Sequence, residues 1–418
     1  MGGCAETKGI TDSAQERGIL IANREGVKCT RERLLQLQMG RCRMYTEEMV
    51  SIAKRENNTK RAYLVVNRLQ GKHIPVEPDQ ALEMFRALGE KVKERYPGQQ
   101  LLLAGFAETA TAIGAAVAVE LGAYYIQTTR EEIPGVEYLY FSESHSHATE
   151  QKLVKDDLDP IIGKVSRVVF LEDEVTTGNT ILNIVRLIRS HYGEQIRFSV
   201  ASILNGMDTE SQERYQAEGI DTLYLVKTDH SRYAEIAGGY AGDGRYHRAE
   251  YLQKDRSQIQ EIDIPGALDA RRLVVGRDYQ NACQRLWEGV QPYVPQGGGK
   301  DILVLGTEEF MYPPLFVARG IQLSGHRVKY HATTRSPIAV SLEPDYPLHE
   351  RFGLASLYDE GRKTYLYDLA RYDMVFIITD APQDKGGDGG RRQPPGLASL
   401  ENALRSCGNE NIYYVRWR

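Results

Sequence analysis

Val168-Val-Phe-Leu-Glu-Asp-Glu-Val-Thr-Thr-Gly-Asn-Thr180 is the stretch of sequence that decides the fold. Its first four residues form an unbroken apolar run, which is typical of a strand buried on both faces of a parallel sheet. Two acids, Glu172 and Asp173, stand where this strand is expected to end, and a small, hydroxyl-rich turn follows. The next apolar residues have the spacing of one helix face: Ile181, Ile184, Val185 and Ile188. This order of strand, acids, turn and helix predicts an α/β protein.

The turn and the acids together have the chemistry of a sugar phosphate site. A turn that leads into a helix N-terminus offers free backbone N–H groups and a favourable dipole to a phosphate. Threonine and asparagine side chains add donors, and Gly178 lets the backbone close around the anion. The carboxylates suit a sugar diol or a hard divalent cation. These features describe a site for ribose 5-phosphate. An ordinary strand, acidic turn and helix with a capping threonine is the alternative.

These thirteen positions resemble the phosphoribosyl pyrophosphate (PRPP) signature of the type I phosphoribosyltransferases. The resemblance implies a Rossmann-like parallel sheet with a hood, and an Mg²⁺-dependent displacement of pyrophosphate from C1 of PRPP. It implies catalytic roles for Glu172, Asp173 and Thr176, with the two acids holding the ribose hydroxyls and the metal. It also implies that the turn holds the 5-phosphate through Thr177, Gly178, Asn179 and Thr180.

Length and composition narrow the class of protein. The chain has 418 residues, a formal net charge of −5 and 41% hydrophobic residues, which predicts two or three domains with ample core. The mild acidity gives no reason to expect a nucleic acid or membrane partner. Five scattered cysteines without a Cys-x-x-Cys pair indicate reduced thiols in a cytoplasmic protein. No apolar run approaches the ~18 residues of a membrane span.

A second segment of small residues follows the apolar run from Leu101 to Leu103. In the resembled family the loop at this position contacts pyrophosphate. This implies PRPP-binding roles for five residues: Gly105, Phe106, Ala107, Glu108 and Arg130. Glu108 does not suit an anion-binding loop, because its carboxylate would repel pyrophosphate, unless it contacts magnesium or the acceptor. Close packing of a helix on the sheet explains the small residues equally well.

The segment from Thr129 to about Val165 has few cues for regular structure, and it occupies the position of the family's hood. Long loops of this kind are commonly lids or binding loops. His145 and His147 share one face if the segment is extended, so we expect them to contact pyrophosphate or acceptor. Two ligands do not make a metal site, and a solvated loop is the alternative. The other predicted acceptor and hood residues are Lys72, His73 and Arg335.

The remaining chain gives the predicted domain limits. A helical pattern runs from Arg31 to Arg55, the Gly- and Tyr-rich residues 231–248 predict a loop, and polar residues 249–268 predict a linker or boundary. We therefore expect an N-terminal tail and helical extension, a phosphoribosyltransferase domain, a linker and a C-terminal domain, at residues 1–60, 61–250, 251–270 and 271–418.

The C-terminal half repeats landmarks of the first. Leu-Leu-Leu-Ala-Gly105 matches Ile-Leu-Val-Leu-Gly306, and Tyr125-Ile-Gln-Thr-Thr-Arg130 matches Tyr330-His-Ala-Thr-Thr-Arg335. Val169-Phe170 matches Val375-Phe376, which predicts an internal duplication. In that alignment Ile378 and Thr379 stand in place of the acid pair, and no Thr-Thr-Gly turn follows. The pattern predicts a related α/β domain that does not bind PRPP in the usual way.

A closer resemblance covers most of the chain. Thr334-Arg-Ser-Pro337 resembles the motif of the Thr-Arg-Ser-Pro domain that follows a phosphoribosyltransferase domain in bacterial proteins. Gly71-Lys-His-Ile-Pro-Val76 and Gly105-Phe-Ala-Glu-Thr109 also fit that family. It is associated with tellurium-resistance and stress gene clusters, and it resembles orotate phosphoribosyltransferases. A homodimer is common in the wider family. Arg335 then binds an anion or acceptor across a domain interface, or caps carbonyl groups as a structural residue.

The expected reaction transfers phosphoribose to a small acceptor. Thr176 cannot be a strong base at neutral pH, so the acceptor is expected to be already acidic, as orotate is, or to be deprotonated by a group such as His145 or Glu108. A PRPP-binding sensor without transferase activity is the alternative. A PRPP synthetase-like enzyme would need an ATP site, and no P-loop motif is present.

Overall fold

The first half of the described chain alternates strands and helices around a central sheet. The structure is a computed structural model that describes residues 45–56, 61–141, 151–249, 259–382, 384–385, 391–392 and 394–418. Its strands are β1 Val50–Lys54, β2 Tyr63–Asn67, β3 Leu101–Gly105, β4 Tyr124–Gln127, β5 Tyr138–Tyr140, β6 Lys152–Val154, β7 Arg167–Val175, β8 Arg197–Asn205, β9 Ile220–Lys227 and β10 Arg245–Arg248. Its helices are α1 Pro78–Arg95, α2 Thr111–Leu121, α3 Lys155–Leu158, α4 Asn179–Tyr192, α5 Thr209–Ala217 and α6 Tyr233–Gly239, with a 3₁₀ turn at Glu47–Met49.

The second half has the same alternation. Its strands are β11 Gln260–Ile264, β12 Val274–Val275, β13 Asp301–Gly306, β14 Arg327–Ala332, β15 Glu350–Ala355, β16 Lys363–Tyr367, β17 Met374–Thr379, β18 Asp384–Lys385, β19 Arg391–Arg392 and β20 Ile412–Trp417. Its helices are α7 Gly276–Val290, α8 Tyr312–Leu323 and α9 Pro395–Ser406, with a 3₁₀ turn at Gln291–Tyr293. Tyr45–Arg418 form one compact unit.

The two main sheets have equivalent strand orders. The first is β12-β4-β3-β7-β8-β9, and the second, read from the corresponding edge, is β14-β13-β17-β20-β11. All neighbouring strands within them run parallel except β12, which is antiparallel to β4. Strands β4, β3, β7 and β8 therefore correspond to β14, β13, β17 and β20. The expected parallel α/β fold with a second α/β domain is confirmed.

Strand β7 is central in the first sheet, as its apolar run predicts. Val169, Phe170 and Leu171 have no exposed surface, and the Phe170 ring stacks on Phe198 of the next strand. The apolar face of the following helix α4 is also buried, at Ile181, Leu182, Ile184, Val185 and Ile188. Burial of a strand and of the helix that follows it fixes the turn between them at the carboxyl edge of the sheet.

The register of the second sheet corrects the predicted alignment by one residue. Gly105 lies opposite Leu171 between β3 and β7, whereas Leu305 lies opposite Ile377, so the equivalent Gly306 falls opposite Ile378. Thr379 therefore corresponds to Glu172, and Asp380 corresponds to Asp173. The second half keeps one acid at this position, which the alignment of Val169 with Val375 missed.

Three local predictions were wrong. Val50–Lys54 is a strand rather than the end of a helix, because it pairs with β2 in an antiparallel hairpin; residues before Tyr45 lie outside the described part. The predicted loop at 231–248 contains α6 and β10. The predicted linker contains β11, which pairs with β20 and so belongs to the second sheet.

The expected hood segment contains short regular elements, contrary to the prediction. Strands β5 and β6 pair antiparallel, and α3 follows directly. His145 and His147 lie in 142–150, outside the described residues. Within the described ranges, no helix combines the length and the apolar character that a bilayer span requires.

Candidate functional site

The three acids after the apolar run lie within strand β7, which continues through Val175 instead of ending at Leu171. The continuation follows from pairing with β8, where Glu172 lies opposite Ser202 and Glu174 lies opposite Leu204. Because side chains alternate along a strand, Asp173 points to the opposite face from its two acidic neighbours. The acids are half-buried at the carboxyl end of the sheet.

Burial dominates the electrostatics of these acids. Burial, together with the charges of Asp173 and Glu174, raises the pKa of Glu172 well above its ordinary value. Burial also raises the pKa of Asp173, although a hydrogen bond from Thr109 opposes this. Clustered carboxyl groups with raised pKa values are typical of sites that bind a cation or a polar ligand.

Glu174 has internal partners that the sequence did not predict. The Arg61 Nη2 atom donates to both Glu174 carboxylate oxygens, at 2.6 and 2.8 Å. His230 Nε2 lies 3.5 Å from the same carboxylate, and His230 Nδ1 is 3.0 Å from the Tyr63 hydroxyl. The hairpin of β1 and β2 therefore contacts the acidic end of β7. In the sequence, the third acid at position 174 was the one indication that a cation partner would be needed here.

The turn after β7 has the backbone shape that a phosphate loop needs. Gly178 has φ +69°, in the left-handed region, and its carbonyl accepts a hydrogen bond from the Tyr215 hydroxyl at 2.8 Å. A Cβ atom at Gly178 would lie 2.2 Å from that hydroxyl oxygen. The exposed Thr177 presents its carbonyl to Arg214 at 3.2 Å. Thr176, which lies between the acids and Gly178 in the sequence, is half-buried.

Helix α4 begins at Asn179, two residues earlier than the apolar spacing alone indicated. Its first intrahelical hydrogen bond runs from Leu182 N–H to the Gly178 carbonyl. The N–H groups of Asn179, Thr180 and Ile181 precede that bond, and such groups at a helix start have no intrahelical acceptor. The predicted phosphate-binding residues therefore lie together at one helix N-terminus.

The loop after β3 reaches the acid pair directly. The Thr109 hydroxyl donates to Asp173 Oδ1 at 2.7 Å. Side chains from three other segments hold this loop: Gln70 donates to the Thr109 carbonyl at 2.7 Å, Gln151 donates to the Ala107 carbonyl at 3.1 Å, and the Thr128 hydroxyl accepts from Ala107 N–H at 2.8 Å. The Ala107–Glu108 peptide is cis. The loop predicted to bind pyrophosphate therefore lies beside Asp173.

Glu108, Lys72 and Arg335 are brought together by ion pairs inside the protein. Lys72 is fully buried, is ion-paired with Glu108, and donates to the carbonyls of Glu308 and Thr333 at 3.1 Å each. Arg335 N–H lies 3.3 Å from both Glu108 carboxylate oxygens. Burial opposes ionisation of Glu108, but these two cations hold its pKa at about 2. Lys72 was predicted to contact the acceptor, but its ammonium group is instead bound to Glu108 and to two backbone carbonyls.

Arg130 is a half-buried cation of this region. Its backbone N–H donates to Glu309 Oε1 at 3.0 Å, but within the described residues no carboxylate forms an ion pair with its guanidinium. Its buried Nε atom has no hydrogen-bond partner there. Burial and the nearby Arg335 lower the pKa of Arg130. A bound anion would stabilise this half-buried guanidinium, which has no ion pair within the described ranges.

Buried histidines make stability sensitive to acid. Burial, with the charge of Lys72, lowers the pKa of His73 to about 3; burial, with Arg61, lowers that of His230 to about 4. The ordinary value is 6.5 for both, so their contribution to stability is complete above pH 6.5 and is lost as pH falls towards 4.

We therefore expect these histidines to lower the free energy of unfolding between pH 7 and pH 5, whereas the raised pKa values of Glu172 and Asp173 contribute in the opposite direction. Urea titrations across this range measure it. His230→Gln is expected to flatten the slope, and His191→Gln, at an exposed position on α4, is the matched control that keeps it. An unchanged slope for the His230 variant contradicts this assignment.

The carboxyl groups of Glu172 and Asp173 suit a divalent cation that is bound together with substrate phosphates. Across the ranges that the structure describes, no group of three or more His, Cys, Asp or Glu side chains could hold a metal alone. Mg²⁺ is usually bound through one or two carboxylates plus substrate phosphates. The carboxyl groups of Glu172 and Asp173, both with raised pKa values, provide such oxygens.

Comparison with known proteins gives two family matches and several relatives. A family model described as phosphoribosyl transferase matches residues 49–228, and one described as the TRSP domain C-terminal to it matches residues 276–390. Adenine phosphoribosyltransferases of Neisseria meningitidis serogroups A and B are each 28% identical over 153 residues, which is 36% of this chain and 78% of the relative.

Solved structures of similar proteins include two adenine phosphoribosyltransferases. The enzyme of Rhodothermus marinus has a TM-score of 0.33 and 16% identity, over 44% of this chain and 96% of that one. The Giardia lamblia enzyme complexed with 9-deazaadenine has a TM-score of 0.34 and 14% identity, over the same shares of the two chains.

The fold and the first family match define a type I phosphoribosyltransferase, a PRPP-dependent pentosyltransferase. The chain belongs to the two-domain family in which this phosphoribosyltransferase is followed by a TRSP domain.

Proposed function

We propose that the protein transfers the phosphoribosyl group of PRPP to a small, acidic, nucleobase-like acceptor and releases pyrophosphate, with Mg²⁺ on the diphosphate. The observation that carries this proposal is the hydrogen bond between Thr109 and Asp173. It joins the predicted pyrophosphate loop to the predicted ribose-binding acids at the carboxyl ends of the adjacent strands β3 and β7. Ligands of open α/β sheets bind at this edge.

Each part of PRPP has a proposed partner. The helix N-terminus at Asn179 and Thr180 binds the 5-phosphate, and the carboxylates of Glu172 and Asp173 accept hydrogen bonds from the ribose hydroxyls. Arg130 and the loop 105–109 receive the pyrophosphate. When bound, Mg²⁺ neutralises charge on the leaving diphosphate.

The transfer itself is a displacement at C1. The bond between C1 and the pyrophosphate oxygen breaks, and pyrophosphate leaves with the electron pair. A bond forms between C1 and a nitrogen of the acceptor. The carboxylates beside the ribose favour the positive charge that develops on the sugar. An acidic acceptor has already lost its proton to solvent, so Thr176 is not required as a base.

The hairpin residues favour an acidic acceptor. Burial and the nearby Arg61 lower the pKa of Arg55, whereas the charges of Glu174 and Asp173 raise it, so this cation lies near the acids. Within the described ranges no carboxylate forms an ion pair with Arg55, in contrast to Arg61. An anionic acceptor next to the ribose site would give Arg55 a partner.

The test is pyrophosphate release by the full chain with PRPP, Mg²⁺ and either orotate or adenine. The relatives named as adenine phosphoribosyltransferases make adenine the competing acceptor. Turnover with orotate or another acidic heterocycle is expected, and Arg55→Gln should raise the acceptor KM about tenfold while leaving the PRPP KM unchanged. Arg277→Gln, at an exposed position on α7, is the matched control. Turnover with adenine alone contradicts an acidic acceptor, and PRPP binding without turnover on any acceptor favours a sensor.

Localisation in the cytoplasm remains a prediction from the cysteine pattern, and a homodimer and a link to tellurium resistance remain predictions of the family resemblance. Cell fractionation tests the first, and light scattering of the purified chain tests the second. Growth of a deletion strain on tellurite tests the third.

A further inference from the structure

The two halves of the chain exchange corresponding backbone contacts. Strand β12 of the second half pairs antiparallel with β4 of the first, where Val274 lies opposite Tyr125. In return, Val76 of the first half forms an antiparallel bridge with Tyr330 on β14. Because β4 and β14 are equivalent strands, the two halves make reciprocal contacts.

The same exchange relates two buried glutamates at the ends of equivalent strands. Glu309, after β13, accepts hydrogen bonds from the Thr129 hydroxyl at 2.7 Å and from Arg130 N–H at 3.0 Å. Glu108, after β3, accepts from Arg335 N–H at 3.3 Å, and the Thr334 side chain helps to lower its pKa. The backbone N–H of the equivalent arginine in each half therefore donates to the glutamate of the other half.

The guanidinium groups of the two halves break this symmetry. Arg335 forms ion pairs with Glu308 at 2.6 Å, Glu309 at 3.3 Å and Glu108 at 3.4 Å, and also with Glu131. Its counterpart Arg130 has no such pair among the described residues. Four carboxylates therefore hold the Arg335 guanidinium, whereas the described residues provide none for the guanidinium of Arg130.

The equivalent site of the second half is closed by its own side chains. Asp380, the counterpart of Asp173, is ion-paired with Arg271 at 2.5 Å and accepts a hydrogen bond from Tyr358 at 2.6 Å. Thr379 replaces Glu172 and is bonded to Thr307 at 2.8 Å. In this half the acid is therefore neutralised by an arginine, whereas among the described residues no cation forms an ion pair with Glu172 or Asp173.

We propose that the second half is a built-in, catalytically silent partner whose Arg335 positions the pyrophosphate loop through Glu108. A chain of contacts joins Arg335 to the proposed ribose site. Arg335 contacts Glu108, and the next residue, Thr109, donates a hydrogen bond to Asp173, which is the proposed ribose ligand. Arg335 is a positioning residue, because it acts through Glu108 rather than on the substrate. This inference rests on the proposed function of loop 105–109.

The test measures binding of inorganic pyrophosphate with Mg²⁺ by calorimetry, together with the PRPP KM and kcat of the full chain. Arg335→Lys keeps the charge but loses the planar fork. Thr334→Val removes the hydroxyl that helps to lower the pKa of Glu108, without a change of charge. Arg416→Lys is the control, since Arg416, in strand β20, is also largely buried and ion-paired with two carboxylates, those of Glu261 and Asp263.

Both Arg335→Lys and Thr334→Val are expected to weaken pyrophosphate binding and raise the PRPP KM, by about tenfold for Arg335→Lys. The control is expected to lower the melting temperature by a similar amount and to leave both constants unchanged. Wild-type affinity in the Arg335 and Thr334 variants, despite lowered stability, overturns the positioning role. Absence of pyrophosphate binding and turnover in the wild-type chain overturns the proposed function instead, so the two failures are distinguishable.

Discussion

Asp173→Asn is expected to lower kcat/KM for PRPP by about 10²- to 10³-fold, the range found when one preorganised polar group is removed from an active site. The amide has nearly the same shape, and its oxygen still accepts the hydrogen bond from Thr109. It has no negative charge, however, and therefore cannot favour the positive charge that develops on the ribose. Steady-state kinetics with the preferred acceptor measure the loss.

Two companion variants separate charge from position. Thr109→Val keeps the Asp173 carboxylate but removes its hydrogen bond, and a loss of roughly tenfold is expected. Glu210→Gln makes the same carboxylate-to-amide change on the surface and should leave kcat/KM intact. Melting temperatures within a few degrees of wild type for all three keep the comparison valid. Full activity of Asp173→Asn would remove this residue from the mechanism.

Gly178→Ala is expected to abolish measurable transfer and to lower the free energy of unfolding by about 1–3 kcal/mol. The new Cβ would lie 2.2 Å from the Tyr215 hydroxyl oxygen and 2.5 Å from its ring, so the ring must move. The hydroxyl then loses its bond to the Gly178 carbonyl. The turn that presents the helix N-terminus to the phosphate moves with it. Activity assays and urea titrations measure the two effects.

Gly219→Ala is the matched control for backbone strain. Gly219 has φ +62°, close to the +69° of Gly178, but no atom would lie within 4 Å of a Cβ added there. This substitution therefore carries the left-handed strain of about 1–2 kcal/mol without the collision. We expect Gly219→Ala to lose some stability and to keep its activity. Equal activity loss in both variants would assign the effect to strain alone.

The local part of the site could be predicted because it is contiguous. The apolar run, the acids and the turn lie within thirteen residues, and their chemistry specifies a strand, a carboxylate pair and a helix N-terminus. The duplication was also visible, because glycine, Thr-Arg and Val-Phe landmarks recur in order. The one-residue error at Asp380 arose because Val-Phe matches in sequence do not fix the register between β13 and β17. Pairing across the sheet decides that register.

What the sequence by itself determined is the type of fold, the two-domain order and the residues of the acid-turn-helix segment, since each depends on short-range patterns of burial and backbone shape. Only the tertiary structure decided the partners of these residues. Arg61 and Glu174 are 113 positions apart, and Arg335 and Glu108 are 227 positions apart. Long-range ion pairs leave no periodic signal in a sequence, because they depend on which strand ends the fold brings together.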